Sequence, residues 1–452
     1  MINAPEISKA FGVPCIVSSD MMRKTETWER LFQNRARWLS DRVKTMRIPV
    51  SIAREFKRLA LTELELTSDR DDLSECLQSA IPLLRRKLDA GLAYGGMLMK
   101  PYRNGNKIYA DLVPQNQYLP VNYTDDVCTS VICPDEIVLG NTYYVRLEYH
   151  VYDSFSMTHT ITNRYFSSSV PGFLGRECNV PDIPEWQNIP EKEIFSNVHA
   201  PLFSVFRTPN ANNIDPSSPL GVSVFADAVD FIHDADLQWE RILWELESAE
   251  RAIDASEDLF RFDLYTQKPI LPKGKERMFM IHESGSDGKP FFNTFSPEIR
   301  DTSQFNSLNQ MLRRIENAVG LSYGTLSEVS EVEKTAEEVR SSKQRSFSCV
   351  KDIQQNLKTA LQQLGYGMQY YIDNTGGNGH QNKAEITCTF GDGVLEDTEK
   401  EFQRRLLLTQ GGYYRPELLL SWYFECDEEE AKKMMPDNSM QSNASKLFEG
   451  DA

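Results

Sequence analysis

Gly320, Ser322 and Gly324 spell G-x-S-x-G, the spacing at which a serine hydrolase presents its nucleophile. That chemistry requires a strand turning sharply into a helix, because this turn exposes the serine oxygen beside backbone N–H groups that hold an oxyanion. Asp352 or Asp373 and then His380 follow in a permissive order, but the span between them lacks the alternating strands that would hold a triad. A second candidate is Asp227, Asp230 and Asp234, at i, i+3 and i+7 with His233 adjacent. Three carboxylates on one helix face could begin a hard-cation shell, which needs further ligands from elsewhere; acidic faces of long helices are usually solvated or paired with a neighbouring chain. Of the eight cysteines only Cys128 and Cys133 lie close together, and with no C-x-x-C pair or His cluster nearby they read as reduced, small residues in a strand region. No G-x-x-x-x-G-K-[ST], no G-x-G-x-x-G after a strand and no H-E-x-x-H occurs. The expectation is a protein with no catalytic residue, no metal and no cofactor.

The elements around Ser322 decide the serine question. Phe305, Leu308, Leu312, Ile315 and Val319 fall on one stripe and predict a helix that ends at Gly320. Ser322 therefore sits on a helix-to-helix loop, where an elbow cannot form. Beyond the loop, Val339, Phe347, Val350, Ile353, Leu357, Leu361, Leu364 and Met368 continue a helical pattern. Unbroken from Lys334 to Ile372, that helix would be roughly 58 Å long. Upstream, "VSVFADAVDFIHDADLQWERILWELESAERAID" predicts a long acidic helix, with Ser218 as N-cap and Pro219 at its first position. Residues 255–297 carry prolines, glycines and two short apolar runs, the pattern of a small strand-and-turn insertion.

Earlier in the chain, helices are expected through "TWERLFQNRARWLSDRV" and "SIAREFKRLALTEL", the latter placing Ile52, Phe56, Leu59 and Ala60 on one face. A helix from Leu83 leads into two strands joined by "RNGNK", and a second hairpin pairs "TYYVRLEYHVY" with "THTITNRYF". Strands dominate from about residue 97 to 166. After "DNTGGNGHQNK" come a strand, "AEITCTF", and shorter helices to "DEEEAKKMM".

The chain has 452 residues, 25% charged and 40% hydrophobic, and no run of 18 apolar residues able to span a bilayer. With no secretory signal at the amino terminus it is expected to fold in cytoplasm. Its 49 basic and 66 acidic residues give a net charge of −17, which disfavours a protein that grips nucleic acid over most of its surface. The charge is uneven: Met21 to Arg58 holds eleven Lys/Arg against four Asp/Glu. That segment reads as a solvated helix face or as a contact for nucleic acid or an acidic partner.

At "PLFSVFRTPNANNIDPSSPLGVSVFADAVDFIHDADLQWERILWELE" the sequence closely resembles portal proteins of tailed bacteriophages, in particular those of siphophages of Gram-positive hosts. "LLRRKLDAGLAYGGMLMKPYRNGNKIYADLVPQNQYLP", "YVRLEYHVY" and "GYYRPELLLSWYFECDEEEAKKMM" extend the likeness, in the same order, from about Ile52 to Met435. The basic amino-terminal segment departs from it.

The resemblance implies an α+β portal fold with a wing, a helical stem, a small α/β clip, a long kinked helix and a helical crown. Mapped here, residues 1–219 would form the wing, 220–254 the stem helix, 255–299 the clip insertion and 300–319 the second stem helix. Residues 320–333 would form the tunnel loop, 334–394 the long helix and a return strand of the wing, and 395–452 the crown. It further implies a homo-oligomeric ring, normally of twelve subunits, at one capsid vertex of the virion, assembled in the host cytoplasm. The ring would serve DNA packaging, DNA ejection and head-tail joining. The partners implied are terminase, a head-tail adaptor, the major capsid and scaffolding proteins, and double-stranded DNA in weak, non-specific contact, with no membrane. Thr325, Leu326, Ser327, Glu328, Val329, Ser330 and Glu331 would face the DNA channel, and Lys273, Lys275, Arg277 and His282 would dock terminase or adaptor. Two other readings compete: a channel-less capsid-associated or scaffolding protein, and a serine hydrolase.

Within the expected loop, Thr325 with Glu328, Ser330 with Glu333, and Thr335 with Glu338 each satisfy an [ST]-x-x-E capping box. Caps of about 1 kcal/mol each, five residues apart, predict near-degenerate starts for the long helix, hence a movable loop whose amides from Thr325 to Val332 exchange fast.

Overall fold

The computed structural model describes residues 4–105, 107–124, 127–180, 183–249, 252–263, 269–271, 279–282, 292–295, 300–328, 336–375, 384–391, 398–424 and 427–434. Their contacts divide into two units, residues 1–388 and 389–452.

The first unit opens with α1 (Ala4–Phe11), α2 (Ser19–Phe32) and α3 (Ile48–Ala60). Expected to run on to Val43, α2 instead stops at Phe32. Asn34 takes a left-handed φ of 57°, its N–H bonds Leu31 O, and the N–H of Arg35 bonds Arg30 O, a Schellman closure that ends the helix. Likewise α3 ends at Ala60, and Leu64 belongs to strand β1 (Leu64–Ser68). There follow α4 (Asp71–Tyr94), β2 (Gly96–Asn104) and β3 (Lys107–Pro114), the hairpin expected at "RNGNK".

Next come β4 (Leu119–Thr124), β5 (Val127–Leu139), β6 (Thr142–Asp153), β7 (Thr158–Ser168), β8 (Arg176–Cys178) and β9 (Lys192–Ser196), which make one antiparallel sheet in the order β4-β5-β6-β7-β8, with β9 also on β7. Strand β10 (Ser204–Arg207) pairs with β2. Phe56, Phe203, Phe206, Phe225, Trp28 and Trp186 are fully buried and anchor the core.

One crossing of the chain fixes where the next helix can begin. Gly95 ends α4 at φ +99° against Gly221; a Cβ on Gly95 would lie 2.3 Å from Gly221 O, so two backbones meet where no side chain fits. Buried Gln115 donates to Tyr94 O (2.7 Å) and Gly221 O (2.9 Å), and buried Thr208 donates to Gly95 O and Val222 O. These carbonyls are thereby committed to partners outside a helix. As a result α5 (Val229–Ser248) starts ten residues after the expected first position, Pro219. Ser218 caps no helix, its hydroxyl accepting only from Leu220 N at 3.4 Å.

Helix α5 also ends earlier than expected. It gives way to β11 (Ala252–Ser256), which with β12 (Phe279–His282) and β13 (Phe292–Phe295) forms a small mixed sheet in the order β12-β11-β13. The chain returns in α6 (Asp301–Val319), antiparallel to α5: Glu245 pairs with Arg300 at 2.9 Å, and Gln304 accepts from Gln238 at 2.6 Å. Then α7 (Ala336–Thr375) runs 40 residues, about 60 Å. Strand β14 (Ile386–Phe390), in which the first unit ends, pairs with β1.

The second unit holds α8 (Thr398–Gln410), α9 (Pro416–Phe424) and α10 (Glu428–Met434). Arg405 lies over the Trp422 ring at 4.2 Å, Phe402 packs on Tyr423, and Leu419 and Ala431 are buried. The chain is α+β, and no helix among the described residues is long and apolar enough to cross a membrane.

Candidate functional site

The site is the junction between α6 and α7. Gly320 ends α6 in the left-handed region, φ +80°, with its N–H on Glu316 O, and Leu321 N also bonds Glu316 O at 2.9 Å. The chain then turns back along α6 instead of continuing away from it. Glu316 makes this possible: although fully buried, its carboxylate accepts Leu326 N at 2.6 Å and Ser327 N at 2.9 Å on one oxygen, and Ser327 Oγ at 2.8 Å on the other. A buried carboxylate is tolerated when donors surround it, and charge-assisted hydrogen bonds of this kind are the strong ones. Two turns back along α6, Asn309 clamps Glu328 from both sides, accepting its N–H at 2.8 Å and donating to its carbonyl at 3.3 Å, while Arg313 donates to the same carbonyl.

Thr325, Leu326, Ser327 and Glu328 are thus gathered on α6 as one folded-back turn. Val329, Ser330 and Glu331 lie outside the described residues, as do Ser330–Glu333 and Thr335 of the capping boxes. The first box is not used as a cap. Thr325 donates its hydroxyl to Ser322 O at 2.7 Å, and residues 321–328 are non-helical. The hydroxyl is spent on a local turn, and Glu316 and Asn309 hold the N–H groups that a helix start would need. The expectation of three near-equal starts therefore fails at Thr325. Helix α7 is described from Ala336 on, and Thr335 lies outside the described residues.

Ser322 follows a helix, as expected, and its hydroxyl meets that of Ser346 on α7 at 2.8 Å. The strand that an elbow needs is not there. Asp227 accepts from Asn213, and Asp234 lies 3.8 Å from His233 Nδ1; no group of three His, Cys, Asp or Glu converges among the described residues. Cys128 and Cys133 are both buried in β5, and burial pushes the Cys128 thiol up to about 12. Of the four clip residues, Lys273, Lys275 and Arg277 lie outside the described residues. His282 closes β12 with Nε2 3.6 Å from Asp254 of β11.

Sequence reasoning passed over Glu316, Asn309 and Arg313. The available signal was Glu316 itself, an acidic residue at i+4 from Leu312 on the apolar stripe.

The family model for "Phage portal protein, SPP1 Gp6-like" matches residues 84–444, which takes in both long helices, the small sheet between them and the folded-back turn. The chain belongs to the phage portal family. No curated protein matches it. The portal family is structural rather than enzymatic and assembles as oligomeric rings, so Glu316, Asn309 and Arg313 are read as positioning residues that shape a surface. In this portal chain the surface so shaped is the segment from Gly320 to Glu328.

Proposed function

We propose that the chain forms a ring-shaped channel at one vertex of a phage capsid, through which DNA is packed and later ejected and to which the tail is joined. The observation that supports this most is the order α5, small sheet, α6, folded-back turn, α7 inside a family match of 361 residues, from 84 to 444. In this reading residues 1–219 with later strands are the wing, α5 and α6 the stem, β11 to β13 the clip, and residues 320–333 the tunnel loop. The long helix and return strand occupy 334–394, and 395–452 are the crown. Thr325, Leu326 and Glu328 to Glu331 face the channel, whereas Ser327, expected there too, is turned inward onto buried Glu316; Lys273, Lys275, Arg277 and His282 lie on the surface that meets terminase and then the head-tail adaptor. The ring has twelve subunits, stands among major capsid and scaffolding proteins, and belongs to a siphophage of a Gram-positive host.

Charge supports a conduit. A channel for duplex DNA should avoid the many Lys/Arg–phosphate contacts that make binding tight and salt-dependent, and a subunit of −17 leaves only weak, non-specific contact. Head-to-tail contacts that close by rotation give a ring. Native mass measurement and electron micrographs of the purified chain test the reading: closed rings with a central hole are expected. A monomer or an open aggregate would favour a channel-less capsid-associated protein.

A further inference from the structure

The cations that set the amino-terminal segment apart are concentrated between α2 and α3. Arg35, Arg37, Arg42, Lys44 and Arg47 are all exposed, and among the described residues none of them has a carboxylate within 4 Å. On the flanking helices Arg23, Arg30, Lys57 and Arg58 are paired with Asp20, Glu26, Asp89 and Glu55, and only Lys24 and Arg54 there have no ion pair among the described residues. The segment is nonetheless built as a fixed strap. Left-handed Asn34 and Arg47 bound it, with φ of 57° and 59°. The buried carboxylate of Asp236 on α5 fastens it, accepting Trp38 Nε1 at 2.9 Å and Met46 N at 2.8 Å, and the Trp38 ring meets His233 edge-on at 4.8 Å.

The same helix carries the opposite charge on another side. Asp230 and Asp234 are exposed one turn apart; Asp230 has no ion pair among the described residues, and Asp234 has only His233 at 3.8 Å. Two helical positions are roughly 200° of rotation, so Asp234 points away from Asp236, and His233, which meets Trp38 of the strap, lies between them around the helix. One subunit therefore presents fixed cations on one flank of α5 and carboxylates on another, and none of its own strap cations lies within 4 Å of Asp230 or Asp234.

We infer that the strap of one copy docks on the Asp230–Asp234 flank of α5 in the next copy around the ring. The inference rests on the ring reading above. A heterologous contact joins two different patches of the same subunit and repeats at every interface, which is what this placement supplies. Copies that each carry −17 repel one another, and opposite charges set face to face fix register while offsetting that repulsion. Duplex DNA is the other polyanion of the right sign, but the rigid strap and its acidic complement on one helix favour a second copy.

The test is a charge swap. Variant one carries Arg35→Glu, Arg37→Glu, Arg42→Glu and Lys44→Glu; variant two carries Asp230→Lys and Asp234→Lys. Native mass and micrographs should show closed rings for the unaltered chain and their loss in each variant alone. An equimolar mixture should restore rings holding the two variants in equal numbers, since only alternating neighbours are then complementary. Rings from either variant alone, or no rings from a mixture whose members keep native circular dichroism, would overturn the inference while leaving the ring reading intact. So would a first variant that closes rings normally and loses only its retention on duplex DNA. Should the second variant lose its fold, Asp230→Asn with Asp234→Asn replaces it, and rings of unchanged salt resistance would overturn the inference equally. No ring from the unaltered chain would bring down the ring reading, and this placement with it.

Discussion

His150 Nδ1 lies 3.1 Å from His159 Nε2, so two buried imidazoles meet edge to edge between β6 and β7. Their neighbours decide where the protons are. Leu202 N–H donates to Nδ1 of His159 at 3.4 Å, which places that ring's proton on Nε2, facing His150. His150 Nδ1 accepts it, and His150 Nε2 donates to Glu148 Oε1 at 2.6 Å. Lys100 Nζ completes the chain at 2.7 Å from the same oxygen, with Arg146 3.2 Å from the other.

Both rings are thus neutral by geometry, and a further proton on either would set N–H against N–H. Burial pushes both imidazoles below their ordinary range, most strongly for His159, against the pull of Glu148. For Glu148 burial acts upward, but Lys100, His150 and Arg146 together outweigh it and hold the carboxyl well below the usual range. The unfolded chain binds protons on these histidines below about pH 6.5, and the folded chain resists them. Stability is therefore complete above that pH and falls as pH drops, by up to about 1.4 kcal/mol per unit for each histidine. Denaturant unfolding at pH 7.5 and 5.5 should show the fall, and His159→Gln should reduce the slope. Nitrogen chemical shifts should report the Nε2-protonated form for both rings, and an Nδ1-protonated His159 would refute the assignment.

Glu316→Ala should free the folded-back turn. Three donors, two N–H groups and the Ser327 hydroxyl, would lose their acceptor, at about 1–3 kcal/mol for each one left buried. Amide exchange reads it directly: Leu326 and Ser327 should exchange slowly in the unaltered chain and fast in the variant. Fast exchange at both positions in the unaltered chain would show that Glu316 does not hold the turn. This replaces the expectation that the whole stretch from Thr325 exchanges fast.

Periodic patterns reported what is local. The stripe from Leu308 to Val319 located α6, and "RNGNK" located the hairpin of β2 and β3, because a 3.6-residue period and a tight turn are complete in a short stretch of chain. Ser218 and Pro219 were a sound local start signal that lost to tertiary bonds. The carbonyls of Gly221 and Val222 are held by Gln115 and Thr208, and the Gln115 partner lies 106 residues away. Glu316 stood out by its place on the stripe, but its role was illegible for the same reason. A charged residue beside an apolar stripe looks solvated until the backbone that returns to it is known. The strap was visible as charge but not as structure, since its fastening to Asp236 spans 198 residues.

Ser322→Ala should leave ring assembly unchanged and remove no ester turnover. The substitution deletes one hydroxyl contact, to Ser346, worth roughly 1 kcal/mol. A serine-reactive phosphonate that labelled the unaltered chain and not the variant would contradict the helix-to-loop geometry.

Gly320 is the pivot on which the turn depends, and its substitution separates two costs. At φ +80° any L side chain is strained, and a Cβ built there would lie 2.5 Å from Cys349 Sγ on α7, a distance real contacts do not reach. The left-handed backbone accounts for about 1 kcal/mol, and the overlap adds about 1–3 kcal/mol, as overpacking in a filled core does. Gly320→Ala should therefore destabilise the chain by more than the backbone penalty alone. Cys349→Ala removes the sulfur and leaves that residue's Cβ 3.8 Å away, an ordinary contact. In the double variant only the backbone cost of Gly320→Ala should remain, so the two substitutions should couple by about 1–3 kcal/mol in denaturant unfolding. Additive effects would mean that the half-buried Cys349 thiol turns aside, or α7 moves, at no cost.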